Sequence, residues 1–202
     1  SQFPGGYSNL TYFLKTDNNK EYVLRRPPFG SKHIKGGHDM GREFRVLSLL
    51  KAAGYVKIPA PIVYCEDESI LDCSFYVMER VQGVILRAHS APKMRLEPTT
   101  LRRLSESLVD NMVDLHAIDI RATGLINLGK PEGYVQRQVD GWYKRYQNAQ
   151  TDEVPVFEQV HEWLVQNRPA ENAPTLIHND YKYDNMVLNA HDLTDIVAVL
   201  DW

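Results

Sequence analysis

Alternating apolar and polar positions open the chain. "YSNLTYFLKT" and "EYVLRR" are strand-like runs on either side of the polar stretch "DNNK". This predicts a β-hairpin with Asp17, Asn18 and Asn19 at its tip. The Pro/Gly-rich stretch "PPFGSKHIKGGH" reads as a loop, and beyond it the period lengthens. In "DMGREFRVLSLLKAAG", Phe44, Leu47 and Leu50 fall at helical spacing, and Val46 and Leu49 widen the apolar face. Asp39 is the expected N-cap and Gly54 the expected stop. Extended structure restarts in "IPAPIVYCED", because a residue before proline avoids helical backbone. "SFYVMERVQG" then predicts a strand that runs into a connector.

The pattern changes after Gly83. Leu101, Leu104, Leu108, Met112 and Leu115 recur at steps of three and four, the signature of one face of a long helix. Tyr134, Gln138, Trp142 and Tyr146 mark a second helix, and Phe157, Val160 and Leu164 a third. Short strand-like runs return in "TLIH", "NMVLN" and "DIVAVLDW". Strands with one helix, a connector, several helices and a final β-pair make an α+β protein. We read two lobes hinged near Glu79 to Gly83: a nucleotide-binding part over 1–82 and a catalytic and acceptor part over 83–202. No internal repeat or low-complexity tract interrupts them.

The densest polar chemistry lies in "HNDYKYDN". His178, Asp180 and Asn185 have the H-x-D-x-x-x-x-N spacing of the eukaryotic-type kinase catalytic loop. Phosphoryl transfer needs an aspartate to orient a hydroxyl and accept its proton. It also needs an amide oxygen and a second carboxylate for Mg²⁺, which prefers hard oxygen ligands. Asp201 supplies that carboxylate at the end of "IVAVLDW", where an unpaired charge would be costly to bury. The residues also allow a plainer reading: Asp180 and Asn185 as turn residues of a hairpin and Asp201 as a cap. The placement of Asp201 favours the metal-binding reading. Lys182, two residues after Asp180, suits neutralisation of a transferred phosphate and equally suits an exposed, solvated position. His178 is expected to brace the loop.

Upstream, Gly5, Gly6, Ser8 and Asn9 precede the first strand. Small residues let backbone N–H groups approach phosphate oxygens, and they also make ordinary turns. On the next strand Arg25 stands where kinases place the phosphate-gripping lysine, and Glu43 on the following helix is its expected carboxylate partner. Arginine can serve that role bidentately, but it is not interchangeable with lysine. A surface ion pair of little energetic weight is the alternative for this couple.

A formal net charge of −3 and the lack of any long basic run give no reason to expect nucleic acid or an anionic membrane as partner. The two cysteines, Cys65 and Cys73, read as reduced thiols of a cytoplasmic protein. No apolar run approaches the length of a membrane span.

Taken together, "GGYSNLTY", "YVLRRPP", "REFRVLSLL", "FYVMERVQG", "HNDYKYDN" and "VLDW" resemble the aminoglycoside phosphotransferase and choline kinase-like family, in that family's order and over essentially the whole chain. Within it, the chain looks most similar to phosphotransferase domains found alone in bacteria or beside acyl-CoA dehydrogenase domains. The resemblance implies a bilobal protein-kinase-like fold with ATP in the cleft, Asp180 as catalytic base, and Asn185 and Asp201 as Mg²⁺ ligands. It implies Arg25 with Glu43 as the phosphate grip, and the backbone from Glu79 to Val81 as the contact for adenine. It also implies further strand and helix beyond both ends of this chain, so the sequence reads as part of a larger domain. The expected activity is transfer of the γ-phosphate to a small-molecule hydroxyl; a nucleotide-binding pseudokinase or regulatory module is the alternative, because of Arg25. Tyr134, Gln138 and Trp142 could touch the acceptor, though an aromatic stripe at helical spacing more often packs in a core. The mixed charges of this segment (Asp140 and Glu132 against Arg137, Lys144 and Arg145) suit a hydroxyacyl-CoA or hydroxy acid better than a polycationic antibiotic.

Overall fold

Antiparallel strands in the order β1-β2-β4-β3 form the first layer: β1 (Leu10–Lys15), β2 (Glu21–Arg26), β3 (Pro61–Cys65) and β4 (Phe75–Glu79). The computed structural model describes residues 1–3, 9–30, 38–89, 91–170 and 174–202. Gly6 and Ser8, expected at the phosphate-binding loop, lie outside the described residues.

The β1–β2 hairpin turns where expected. Asn19 takes the left-handed conformation (φ 61°), which asparagine tolerates, and its N–H reaches the Thr16 carbonyl at 2.9 Å. Register then matters more than strand identity: Arg25 lies opposite Tyr76 and Val23 opposite Met78 on β4. All four are buried, on the sheet face that packs against helix α1 (Met40–Ala52). Asp39 caps α1 by accepting from the Arg42 N–H at 2.8 Å, and Val46, Leu47 and Leu50 pack into the core. A short helix, α2 (Glu68–Leu71), separates β3 from β4 and carries no apolar periodicity by which it could be foreseen. Its signals are Asp67 as N-cap and Asp72 in the left-handed region.

The connector after β4 closes onto β5 (Met186–Leu188), as Val84 and Leu188 exchange two backbone hydrogen bonds of 2.8 Å. A Cβ on Gly83 would stand 2.3 Å from the Leu188 carbonyl oxygen, so the close approach requires glycine here. Helix α3 (Pro98–His116) buries Leu104, Asn111 and Leu115; α4 (Tyr134–Ala149) and α5 (Pro155–Gln166) follow. These two pair through stacked rings, Tyr143 on His161 at 3.8 Å and Tyr146 on Phe157 at 4.2 Å. Strand β6 (Ile196–Val199) pairs antiparallel with β5. The "TLIH" run does not form a strand: Thr175 hydrogen-bonds the His116 carbonyl at 2.8 Å and Leu176 packs into the core.

One core unites the sheet, α1 and the end of α3, with Leu115 in the same cluster as Val46 and Leu50. A second lies under β5, β6 and Leu104. Trp202 packs against both and meets Tyr55 and His178 edge-on, at 6.4 and 4.6 Å between ring centroids.

Candidate active site

The β5–β6 pair and the loop before it bring the polar residues together. A 3-10 turn (Tyr183–Asn185) leads into β5, and Leu200 N–H donates to the Asn185 carbonyl at 2.7 Å. That bond sets Asp201, which follows Leu200, beside Asn185. His178 reinforces the arrangement. Its Nε2 lies 2.7 Å from the Leu200 carbonyl, which can only accept, so Nε2 carries the proton and Nδ1 faces the Asp180 N–H at 3.4 Å. His178 therefore braces the loop, as expected, and ties it to the residue before Asp201.

Asp180 is exposed, and its carboxylate is held by two donors: Lys182 Nζ at 2.8 Å and Asn185 Nδ2 at 2.9 Å, both on Oδ2. The Lys182 hydrogen bond, seconded by Asn185, holds the Asp180 carboxyl below the usual carboxylate range. The same contact raises Lys182. Because Asn185 spends its NH₂ on Asp180 (Oδ2 and the backbone carbonyl), its Oδ1 is left as an acceptor suited to a hard cation.

Arg25 joins the sheet to this loop. Its Nη1 donates to Asp201 Oδ1 at 2.6 Å, and its Nε lies 3.4 Å from Glu43 Oε2 without hydrogen-bond alignment. Glu43 is satisfied by other donors, Tyr76 OH at 2.9 Å and Asn9 Nδ2 at 2.8 Å. Asn9 Oδ1 faces His38 Nδ1 at 2.7 Å. Both polar ends of the Asn9 side chain are thus engaged, Nδ2 on Glu43 and Oδ1 on His38. Burial pushes Glu43 up against the pull of Arg25. Burial also opposes the Arg25 charge, but Tyr76, Glu43 and Asp201 outweigh it and hold Arg25 above its ordinary value. Asp201 takes a left-handed backbone (φ 65°) with a half-exposed side chain, so one carboxylate edge stays open. With Asn185 Oδ1 it forms a donor set that fits Mg²⁺, which ordinarily takes one or two protein carboxylates and completes its shell with water and phosphate oxygens.

The connector offers the remaining expected contact. Glu79 donates its N–H to the Ala60 carbonyl at 2.8 Å, while among the described residues the Val81 backbone has no hydrogen-bond partner. On the opposite side Tyr134 OH reaches Asn179 Oδ1 at 3.3 Å, which sets the start of α4 against the loop. The aromatic stripe of α4 departs from the core expectation: Trp142 is 63% exposed, and Arg145 lies over its ring at 4.6 Å.

Some residues of the site were not foreseen. Tyr76 and His38 act on Glu43 and Asn9 only because of strand register and loop path. Asn111 is fully buried on α3, where it accepts from Tyr55 OH at 3.0 Å and donates to Tyr181 OH at 2.8 Å. Its position on the apolar face of α3 is the one signal that could have found it.

Comparison with known proteins shows the family and the fold. The model of a phosphotransferase enzyme family matches residues 1–202. Acyl-CoA dehydrogenase family member 11 of Rattus norvegicus is 39% identical over 203 residues, which cover 100% of this chain and 25% of that protein. Family member 10 of Mus musculus is 35% identical over 201 residues, 100% of this chain and 18% of that protein. The chain therefore spans a quarter or less of the length of these relatives. A solved structure from Ralstonia eutropha, grouped with the aminoglycoside phosphotransferases, is 32% identical with a TM-score of 0.84, covering 100% of this chain and 57% of that one. An aminoglycoside phosphotransferase solved with streptomycin and ATP shares the fold, with a TM-score of 0.65 at 20% identity over 100% of this chain and 64% of that one.

Proposed function

Because the chain belongs to the phosphotransferase enzyme family, we propose that it is an ATP-dependent kinase that moves the γ-phosphate to a hydroxyl of a small molecule. The observation that carries this reading is the convergence of Asp180, Asn185 and Asp201 through the β5–β6 pair, with Arg25 reaching the same point from the sheet. Residues 1–82 would hold the nucleotide, with Val81 and Glu79 at the adenine and Arg25, steadied by Glu43, at the phosphates. Residues 83–202 would bring the acceptor.

Asp180 orients the acceptor hydroxyl and takes its proton as the new O–P bond forms and the bond between the β- and γ-phosphates breaks, releasing ADP. Lys182 leaves Asp180 for the incoming negative charge. Asn185 and Asp201 would hold Mg²⁺, which screens the phosphate charge when bound. Gly6 and Ser8 stay assigned to the phosphate loop by the sequence pattern. Asn9 acts one step back, by fixing Glu43.

For the acceptor we favour a hydroxyacyl-CoA or a hydroxy acid. Arg137 is engaged by the Lys130 and Glu132 carbonyls, so the cations that favour an anionic acceptor are Lys144 and, from its place over the Trp142 ring, Arg145. The kinship with acyl-CoA dehydrogenase family members points the same way. Cys65 and Cys73, which are not joined by a disulfide, suit the cytoplasm. A second reading, a nucleotide-binding pseudokinase, is favoured by Arg25 in the lysine's place and by its bond to Asp201. Assays with ATP, Mg²⁺ and a panel of hydroxy acids and hydroxyacyl-CoAs separate the two. Asp180→Asn should cost at least about 100-fold in transfer while leaving ATP affinity within about threefold. Unchanged transfer would remove Asp180 as the base.

A further inference from the structure

Asp201 already has a cation, and the protein supplies it. Arg25 Nη1 sits 2.6 Å from Asp201 Oδ1, the short distance of a charge-assisted bond. Arg25 itself is buried and cannot trade this contact for water. Nor is it held back by Glu43. Both Glu43 oxygens accept from neutral donors, Tyr76 OH and Asn9 Nδ2, and Arg25 Nε makes no hydrogen bond to either. The chain from His38 through Asn9 to Glu43 therefore keeps a carboxylate near Arg25 without claiming its N–H groups. This leaves the guanidinium free to serve Asp201.

We infer that Arg25 is a built-in counter-ion for Asp201, which makes divalent-metal binding at Asp201 and Asn185 conditional on nucleotide. A hard cation arriving alone reaches only the open edge of a carboxylate whose charge the guanidinium already neutralises, and it must sit beside that guanidinium, like charge against like charge. Nucleotide phosphates remove the obstacle. They offer Arg25 an anion that its planar fork grips bidentately, and Asp201 is released to the metal. A lysine has a single point charge on a flexible stem and offers the phosphates no such fork. This explains why arginine occupies position 25. The coupling is reciprocal, so metal must tighten nucleotide binding by the same factor. The inference rests on the phosphotransfer reading for the identity of the ligands, but the Arg25–Asp201 contact can be tested without nucleotide.

The test uses Mn²⁺ as probe, with free Mn²⁺ counted by electron paramagnetic resonance. The wild-type protein should bind Mn²⁺ at least about tenfold more weakly alone than with a non-hydrolysable ATP analogue. Arg25→Met should bind Mn²⁺ alone about tenfold or more tightly than wild type, the equivalent of losing one charged hydrogen bond. Adding Asp201→Asn to Arg25→Met should abolish the gain. Arg25→Lys keeps a positive charge beside Glu43 and guards against misfolding of the neutral variant; it should also bind Mn²⁺ alone more tightly than wild type, by about threefold. If wild type binds Mn²⁺ alone as tightly as these variants, or the gain survives Asp201→Asn, the counter-ion role is overturned. Calorimetry with the ATP analogue is a separate arm. Lack of nucleotide binding there defeats the phosphotransfer reading, while the Mn²⁺-alone arms still decide the role of Arg25.

Discussion

Two donors converge on one Asp180 oxygen, and this fixes both the direction of its acidity and the shape of a pH profile. Lys182 and Asn185 favour the carboxylate, so Asp180 loses its proton at lower pH than an ordinary carboxyl; Lys182 keeps its proton to higher pH than an ordinary amine. What these contacts add to folding is therefore complete between the ordinary carboxylate range of about 4 and the ordinary lysine range of about 10, and fades as pH falls below the one or rises above the other. For the same reason kcat/KM should be level from about pH 6 to about pH 9 as far as these groups decide it. An acid limb centred near pH 6 to 7 would show that Asp180 is not the base. Asp180, Lys182, Asn185 and Asp201 were all legible in the sequence, because a chemical spacing names them. Tyr76, His38 and Asn111 were not, because their roles come from partners distant in sequence. Asn111 gives the sharpest stability test at this scale. Asn111→Ala strands the hydroxyl of Tyr55 and should cost about 2 kcal/mol or more, roughly 4 to 8 °C in Tm. Tyr55→Phe removes the donor together with its need and should cost about 1 kcal/mol. Equal melts for the two variants would mean that the buried amide is not the link it is taken for.

Among elements, the connector and β5 behave as a unit. Gly83 lies against the Leu188 carbonyl, and Val84 pairs with Leu188 on both backbone groups. Gly83→Ala should push the connector off β5 at a cost of about 2 to 4 kcal/mol. Hydrogen exchange should then speed up at the Val84 and Leu188 amides well before it does at Val46 or Leu50. Unchanged protection at those two amides would contradict the pairing. The hairpin, α1 and the three long helices could be read from periodicity because each buries a stripe or follows a recognisable cap. "TLIH" misled because apolar residues in a short run need a strand neighbour, and β5 pairs with β6 and Val84 instead. The α4 stripe misled for the opposite reason. Periodicity names a face but not what lies against it, and Trp142 faces outward with Arg145 on its ring.

Across the whole molecule, residues far apart in sequence close one site. Arg25 reaches Asp201 over 176 positions, and Trp202 packs against the core of the sheet and that of the β5–β6 pair alike. A ligand that bridges these parts should stabilise all of them together. An ATP analogue with Mg²⁺ at about 100 times its Kd should add about 2.7 kcal/mol, seen as a single shifted melting transition. The α+β architecture could be read from element order, whereas the Arg25–Asp201 contact depends on how the sheet sits over the β5–β6 pair, which no local pattern encodes. The central claim is that this site transfers phosphate. The most direct measurement follows ³¹P resonances while the protein meets ATP, Mg²⁺ and a panel of hydroxy acids and hydroxyacyl-CoAs, with Asp180→Asn alongside. The account predicts ADP and a new phosphate-monoester signal from at least one acceptor, formed at least about 100-fold more slowly by the variant. ATP that binds but yields no ester with any acceptor, or an ester formed equally fast by Asp180→Asn, would contradict it.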